Sequence, residues 1–141
     1  MEQKTKILIA DDEQDILTIM NKALVQEGYE VVTASDGEEA WAKIQSESPD
    51  VILLDLVMPK MHGYDVLKNL RQTPPSPKWQ PVIIISALGQ LEDIKKGYSL
   101  EADHYITKPC NMETVLKAIR IMMSLIPQRR AGQEKEEDKK S

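Results

Sequence analysis

Lys6-Ile7-Leu8-Ile9-Ala10-Asp11-Asp12-Glu13 is the stretch on which the fold turns. Three large apolar side chains follow one another without alternation, and two adjacent carboxylates close the run. A strand with one face in water alternates apolar and polar residues, whereas a strand covered on both faces does not. The same pattern recurs in Val51-Ile52-Leu53-Leu54, which ends at Asp55, and in Val82-Ile83-Ile84-Ile85, which ends at Ser86. Glu30–Ala34 and Asp103–Ile106 complete a set of five expected strands.

Between these runs lie helical patterns at about Asp15–Glu27, Gly37–Ser46, Tyr64–Arg71, Leu91–Ser99 and Met112–Ile126. Gly28 stands where a left-handed helix end belongs, and Asp36 suits an N-cap. Strand and helix alternating five times predict an α/β fold with a doubly wound, five-stranded parallel sheet and helices on both faces. Thr73-Pro74-Pro75-Ser76-Pro77-Lys78 reads as a stiff surface loop. The folded part is expected to span residues 1–126. Residues 127–141, polar and nearly free of apolar side chains, are expected to form a disordered charged tail.

A chain of 141 residues has room for one such domain. The net charge of −5 weighs against a nucleic-acid surface. The single cysteine, Cys110, cannot form an internal disulfide. The sequence has no apolar run long enough for a membrane span, and its start lacks the features of a signal peptide. Together these features predict a cytoplasmic protein.

The chemistry-bearing residues gather at the carboxyl ends of expected strands. Asp11 and Asp12 follow the first, Asp55 the third, Ser86 the fourth and Lys108 the fifth. In an open α/β sheet the ligand crevice lies outside those ends, where the strand order reverses. With the order 2-1-3-4-5, residues spread over most of the sequence would converge on one pocket. Two like charges about 4 Å apart repel by roughly 4 kcal/mol at an effective dielectric of 20. Three clustered carboxylates therefore need a cation, or one of them must stay protonated. A site of oxygen ligands suits Mg²⁺. Lys108 and the Ser86 hydroxyl are suited to phosphoryl oxygens, and a carboxylate such as Asp55 can act as a nucleophile.

Ile7-Leu8-Ile9-Ala10-Asp11-Asp12-Glu13, Asp55-Leu56-Val57-Met58-Pro59 with Gly63, Ser86-Ala87 and Lys108-Pro109 resemble the response-regulator receiver domain. The likeness runs from about Lys6 to Ile126, with the pieces in order and correctly spaced. It implies the strand order 2-1-3-4-5 and makes Asp55 the phosphoacceptor. It implies that Asp12, Asp55 and the Val57 carbonyl bind Mg²⁺ directly, with Asp11 acting mainly through water. Lys108 would contact the phosphoryl group, Ser86 and Tyr105 would form the switch, and the Lys108–Pro109 peptide would be cis. The partners implied are a histidine kinase or phosphotransfer protein and a downstream target that the sequence does not identify. The target would read the face of the fourth helix, fifth strand and last helix. The protein would catalyse only its own phosphorylation and dephosphorylation.

Some residues depart from this pattern or stand outside it. Val57 and Leu88 are apolar where many receivers carry polar groups, which implies a long-lived phosphoaspartate. Cys110 stands where an apolar aromatic is usual, and reads as an inert residue at a helix start, where a thiol pKa can be lowered. His62 and His104 lack metal-ligand spacing and are expected at the surface. On the last helix Glu113, Lys117, Arg120 and Ser124 share a polar arc of about 60°. The apolar arc is wider than a sheet-covering helix needs. The surplus, chiefly Ile121 and Leu125, would serve a homodimer or a target, or else pack on the neighbouring helix.

The leading expectation is a stand-alone receiver, because residues 127–141 are too few for an output domain. One alternative is a receiver excised from a longer regulator or hybrid kinase, and another is an adaptor that works without phosphorylation. A flavodoxin-like redox protein would share the fold. Asp11-Asp12-Glu13 would repel a flavin phosphate, which weighs against it.

Overall fold

A computed structural model describes residues 4–140. Residues 1–3, part of the start read above as lacking a signal peptide, and residue 141 of the tail lie outside the described residues. The elements in chain order are β1 (Lys6–Ala10), α1 (Gln14–Gln26), β2 (Glu30–Ala34), α2 (Gly37–Glu47), β3 (Val51–Leu54), α3 (Gly63–Gln72), β4 (Val82–Ser86), α4 (Leu91–Ser99), β5 (His104–Thr107) and α5 (Met112–Lys140). All strand pairs are parallel, in the order β2-β1-β3-β4-β5.

The unalternating apolar runs now have their cause. Ile7, Ile9, Val51 and Leu53 enter one core with Leu17, Met20 and Leu24 of α1 and Val115, Ile119 and Met122 of α5. Leu8, Ala10, Ile52 and Leu54 point the other way, into a second core with Ala40 and Ile44 of α2 and Val66, Leu67 and Leu70 of α3. Side chains along a strand alternate between its faces, and here both faces are buried.

Local signals place the element ends. Asp36 accepts a hydrogen bond from the Glu39 N–H at 2.8 Å, capping α2. Gly28 has φ +92°, which only glycine adopts without strain.

The last helix corrects the sequence reading. Residues past 126, expected to be disordered, continue α5 through Pro127 to Lys140. A proline inside a helix costs about 3 kcal/mol, so the turn beyond it needs support. Arg130 donates two hydrogen bonds to the Trp79 carbonyl, at 3.2 and 3.1 Å, and lies 3.6 Å from Asp50. The Arg129 guanidinium sits 4.5 Å from the Trp79 ring centroid. These contacts fix the first turn past the proline, and the Gln-Glu-Lys-Glu-Glu run at 133–137 is composed of good helix formers.

Candidate functional site: an acidic pocket at the sheet's switch point

The strand order reverses between β1 and β3, and the carboxyl ends of those two strands carry the acids. Backbone hydrogen bonds extend the sheet ladder one residue past the strands, from Asp11 N–H to the Ala34 carbonyl and from Asp55 N–H to the Ala10 carbonyl, at 3.0 and 2.9 Å. Lys108 is fixed in the same way on the Ser86 carbonyl at 2.8 Å. Each functional side chain thus leaves a rigid edge.

Gly63, at the start of α3, supports Asp55 from behind. Its N–H donates to the Leu56 carbonyl at 2.7 Å. A Cβ there would lie 2.3 Å from the Asp55 carbonyl oxygen, so this contact admits only glycine.

Asp11, Asp12 and Asp55 bring carboxylate oxygens within 4.8 Å of one another. The Lys108 ammonium reaches two of them, Asp11 at 2.8 Å and Asp55 at 3.1 Å. Asp11 and Asp55 are buried, whereas Asp12 is exposed. Burial pushes the Asp55 carboxyl above its ordinary range, more strongly than the Lys108 contact lowers it, and the Asp11 charge adds to the rise. Lys108 moves the other way: burial disfavours its charge, but the bonds to Asp11 and Asp55 together prevail and hold it protonated. One cation against three carboxylates leaves the pocket negative. Its all-oxygen donor set therefore fits a hard divalent cation such as Mg²⁺.

Ser86 is wholly buried at the adjacent strand end, and its Oγ accepts the Leu88 N–H at 3.2 Å. The Tyr105 hydroxyl donates to the carbonyl of the same residue, Leu88. The two residues expected to form a switch therefore hold one residue of the β4–α4 loop by its N–H and its carbonyl. Tyr105 is half-buried, and burial pushes its hydroxyl up to about 12. Val57 donates its N–H to Asp55 Oδ1 at 3.4 Å and leaves an exposed apolar side chain beside the acids.

Other expectations were met in part. The Lys108–Pro109 peptide is cis. Cys110 is exposed, and burial of its thiol raises the pKa rather than lowering it, with Lys108 opposing. His104 is half-buried on β5, and His62 is half-buried with a definite task, its Nδ1 capping α3 by accepting the Tyr64 N–H at 3.2 Å. Ile121 and Leu125 are exposed in part.

Two contributors were not anticipated. Glu13 places a carboxylate 3.5 Å from Lys108, and its position directly after the acidic pair was the available signal. Tyr64 reaches across to α4, which nothing in its local sequence foretells.

Residues 7–120 match the family of the response regulator receiver domain. The chain belongs to that family. Among curated relatives, a probable transcriptional regulator, ycf27 of Guillardia theta, is 42% identical over 123 residues, covering 87% of this chain and 47% of that protein. The receiver thus spans about half the length of the curated relatives it matches. Among solved structures, a CheY-like receiver domain protein from Methanospirillum hungatei superposes with a TM-score of 0.77 at 31% identity, covering 95% of this chain and 99% of that one. The CheX–CheY–BeF3–Mg complex of Borrelia burgdorferi gives a TM-score of 0.76 at 33% identity, covering 86% and 89%. Receiver domains belong to two-component signalling, and this receiver carries an acidic cluster at the family's ligand end. No helix among the described residues is long and apolar enough to cross a membrane.

Proposed function

We propose that this receiver is a phosphorylation-dependent switch, with Asp55 as the phosphoacceptor and a histidine kinase or phosphotransfer protein as the donor. The observation that carries this reading is the Lys108 ammonium bridging Asp11 and Asp55 inside a three-carboxylate pocket. An Asp55 carboxylate oxygen attacks the phosphorus of a phosphohistidine. The O–P bond forms as the N–P bond breaks, and the imidazole nitrogen keeps the electron pair and takes up a proton. Lys108, already paired with Asp55, passes to a phosphoryl oxygen as charge builds there. Ser86 turns its hydroxyl from Leu88 towards the new group, which frees the β4–α4 loop and Tyr105 to move.

Asp12, Asp55 and the Val57 carbonyl would hold Mg²⁺, with Asp11 acting through water. The ion would screen the incoming phosphoryl group from the acids. Dephosphorylation is attack by water on phosphorus, returning the carboxylate and inorganic phosphate. The chain turns over no other substrate in this reading. It works in the cytoplasm and signals through α4, β5 and α5, where exposed Ile121 and Leu125 offer a surface to a target or a second copy.

A second reading, that this receiver is one part of a longer regulator, is favoured by its match to about half of each curated relative. The site chemistry is the same in both.

Incubation with acetyl phosphate and Mg²⁺, read by intact mass, tests the proposal. A single phosphoryl adduct that Asp55→Asn abolishes supports it. Absence of an adduct on the unaltered protein contradicts it and favours an adaptor that needs no phosphorylation. The exposed apolar side chain of Val57 offers an attacking water no polar partner, so the adduct should be long-lived. Val57→Asn is expected to speed its hydrolysis, measured as decay of the adduct after the donor is removed.

A further inference from the structure

Helix α4 is lightly held. Gly97 is its one fully buried residue, and a Cβ there would lie 3.0 Å from Ile84 Cδ1 and 3.2 Å from the Tyr105 ring. The helix therefore rests on Tyr105 through a glycine and has few other apolar anchors. What else fixes it is polar. Tyr105 holds the loop before it through the Leu88 carbonyl. Next to it, with its hydroxyl beside that of Tyr105, Tyr64 donates to the Asp93 carbonyl at 2.7 Å, in the first turn of α4. Asp93 also caps that turn, accepting the Gln90 N–H at 3.2 Å through its side chain. Lys96, one turn on, places its ammonium 4.7 Å from the Tyr64 ring centroid.

Tyr64 is itself rigidly placed. It is buried, its ring stacks on His62 at 5.1 Å, and it follows Gly63, whose backbone is pressed against Asp55. A short covalent path thus joins the wall of the acidic pocket to the tether on α4.

We propose that the Tyr64 hydroxyl is a second latch on α4, working beside Tyr105, which must open for α4 to answer a phosphoryl group on Asp55. Tyr64 is a positioning residue and touches none of the reacting atoms. The inference rests on the phosphoacceptor role of Asp55 for its signal, while the tether itself is independent of it. A latch closed in one state and open in the other shifts the equilibrium between them, and so changes the affinity of any ligand that selects the open one.

Tyr64→Phe removes the hydroxyl and keeps the ring. Two measurements on the full chain test it: amide hydrogen exchange across residues 91–99, and the affinity for beryllofluoride with Mg²⁺. Losing one ordinary hydrogen bond corresponds to about fivefold in an equilibrium constant. The variant is expected to exchange about fivefold faster in α4 and to bind beryllofluoride about fivefold more tightly. Unchanged or weaker affinity overturns the proposal, even if exchange quickens, because the tether would then be purely structural. If the unaltered protein neither binds beryllofluoride nor takes up a phosphoryl group, the phosphoacceptor reading fails. The tether is then judged on exchange alone, with faster exchange in α4 supporting it and unchanged exchange refuting it.

Discussion

Lys108 shows how one side chain reconciles a cluster that would otherwise repel itself. It neutralises part of the charge of Asp11 and Asp55 at 2.8 and 3.1 Å, and its third and longest contact, 3.5 Å to the exposed Glu13, is the one an incoming anion would replace. Lys108→Met is expected to slow phosphorylation by acetyl phosphate by about 10²-fold, the usual effect of deleting one preorganised electrostatic donor. The adduct's rate of appearance by mass is the measure. Far from this pocket, Asp50 shows the opposite balance to Asp55. Burial works to raise its carboxyl, but the Lys6 N–H, Lys78 and Arg130 together outweigh burial and leave it below its ordinary range. A depressed carboxyl stabilises the fold above its unfolded pKa and loses that contribution as pH falls through its folded one. Asp50→Asn should therefore lower the melting temperature at pH 7, with the deficit closing as pH drops below the ordinary carboxylate range. A deficit independent of pH would contradict this.

At the scale of elements, much was legible because the signals are local. Ile7-Leu8-Ile9, Val51–Leu54 and Val82–Ile85 announce strands buried on both faces, and the structure buries them on both. The acids, Ser86 and Lys108 were found because parallel strands deliver their ends to one edge of the sheet. What was not legible depends on contacts between distant residues. Pro127 and the charged run after it read as a helix end, since neither reveals that Arg129 and Arg130 meet Trp79, about fifty positions earlier. Tyr64 likewise reads only as the start of a helix, and only the position of α4 makes its hydroxyl a tether. Ending the chain after Pro127 is expected to cost about 1–2 kcal/mol, the combined scale of one cation–π contact and one hydrogen bond. Urea unfolding measures it, and the otherwise buried Trp79 should report the loss by a red-shifted fluorescence. An unchanged midpoint would mean that the helical extension contributes nothing to the fold.

The whole molecule is a rigid sheet clad unequally. Helices α1, α2, α3 and α5 bury apolar stripes in two cores, whereas α4 buries little beyond Gly97. Little apolar area therefore holds α4, whose contact with the second core runs through Gly97 against Ile84 and Tyr105. The acidic pocket is the counterpart at the other end of the coupling, a place where charge is stored at a cost. A ligand that binds only the folded state stabilises it by about 2.7 kcal/mol at a hundredfold excess over its dissociation constant. Mg²⁺ is therefore expected to raise the melting temperature of the unaltered protein and to have a much smaller effect on Asp12→Asn, as measured by thermal unfolding with and without the ion. The central claim is chemical, that position 55 carries the acyl phosphate, and borohydride trapping tests it most directly. The protein is treated with acetyl phosphate and Mg²⁺, reduced with borohydride, and digested for peptide mass analysis. Reduction converts an aspartyl phosphate to homoserine. A phosphoacceptor at Asp55 predicts homoserine at position 55 alone, and homoserine at Asp11 or Asp12, or at no position, would contradict it.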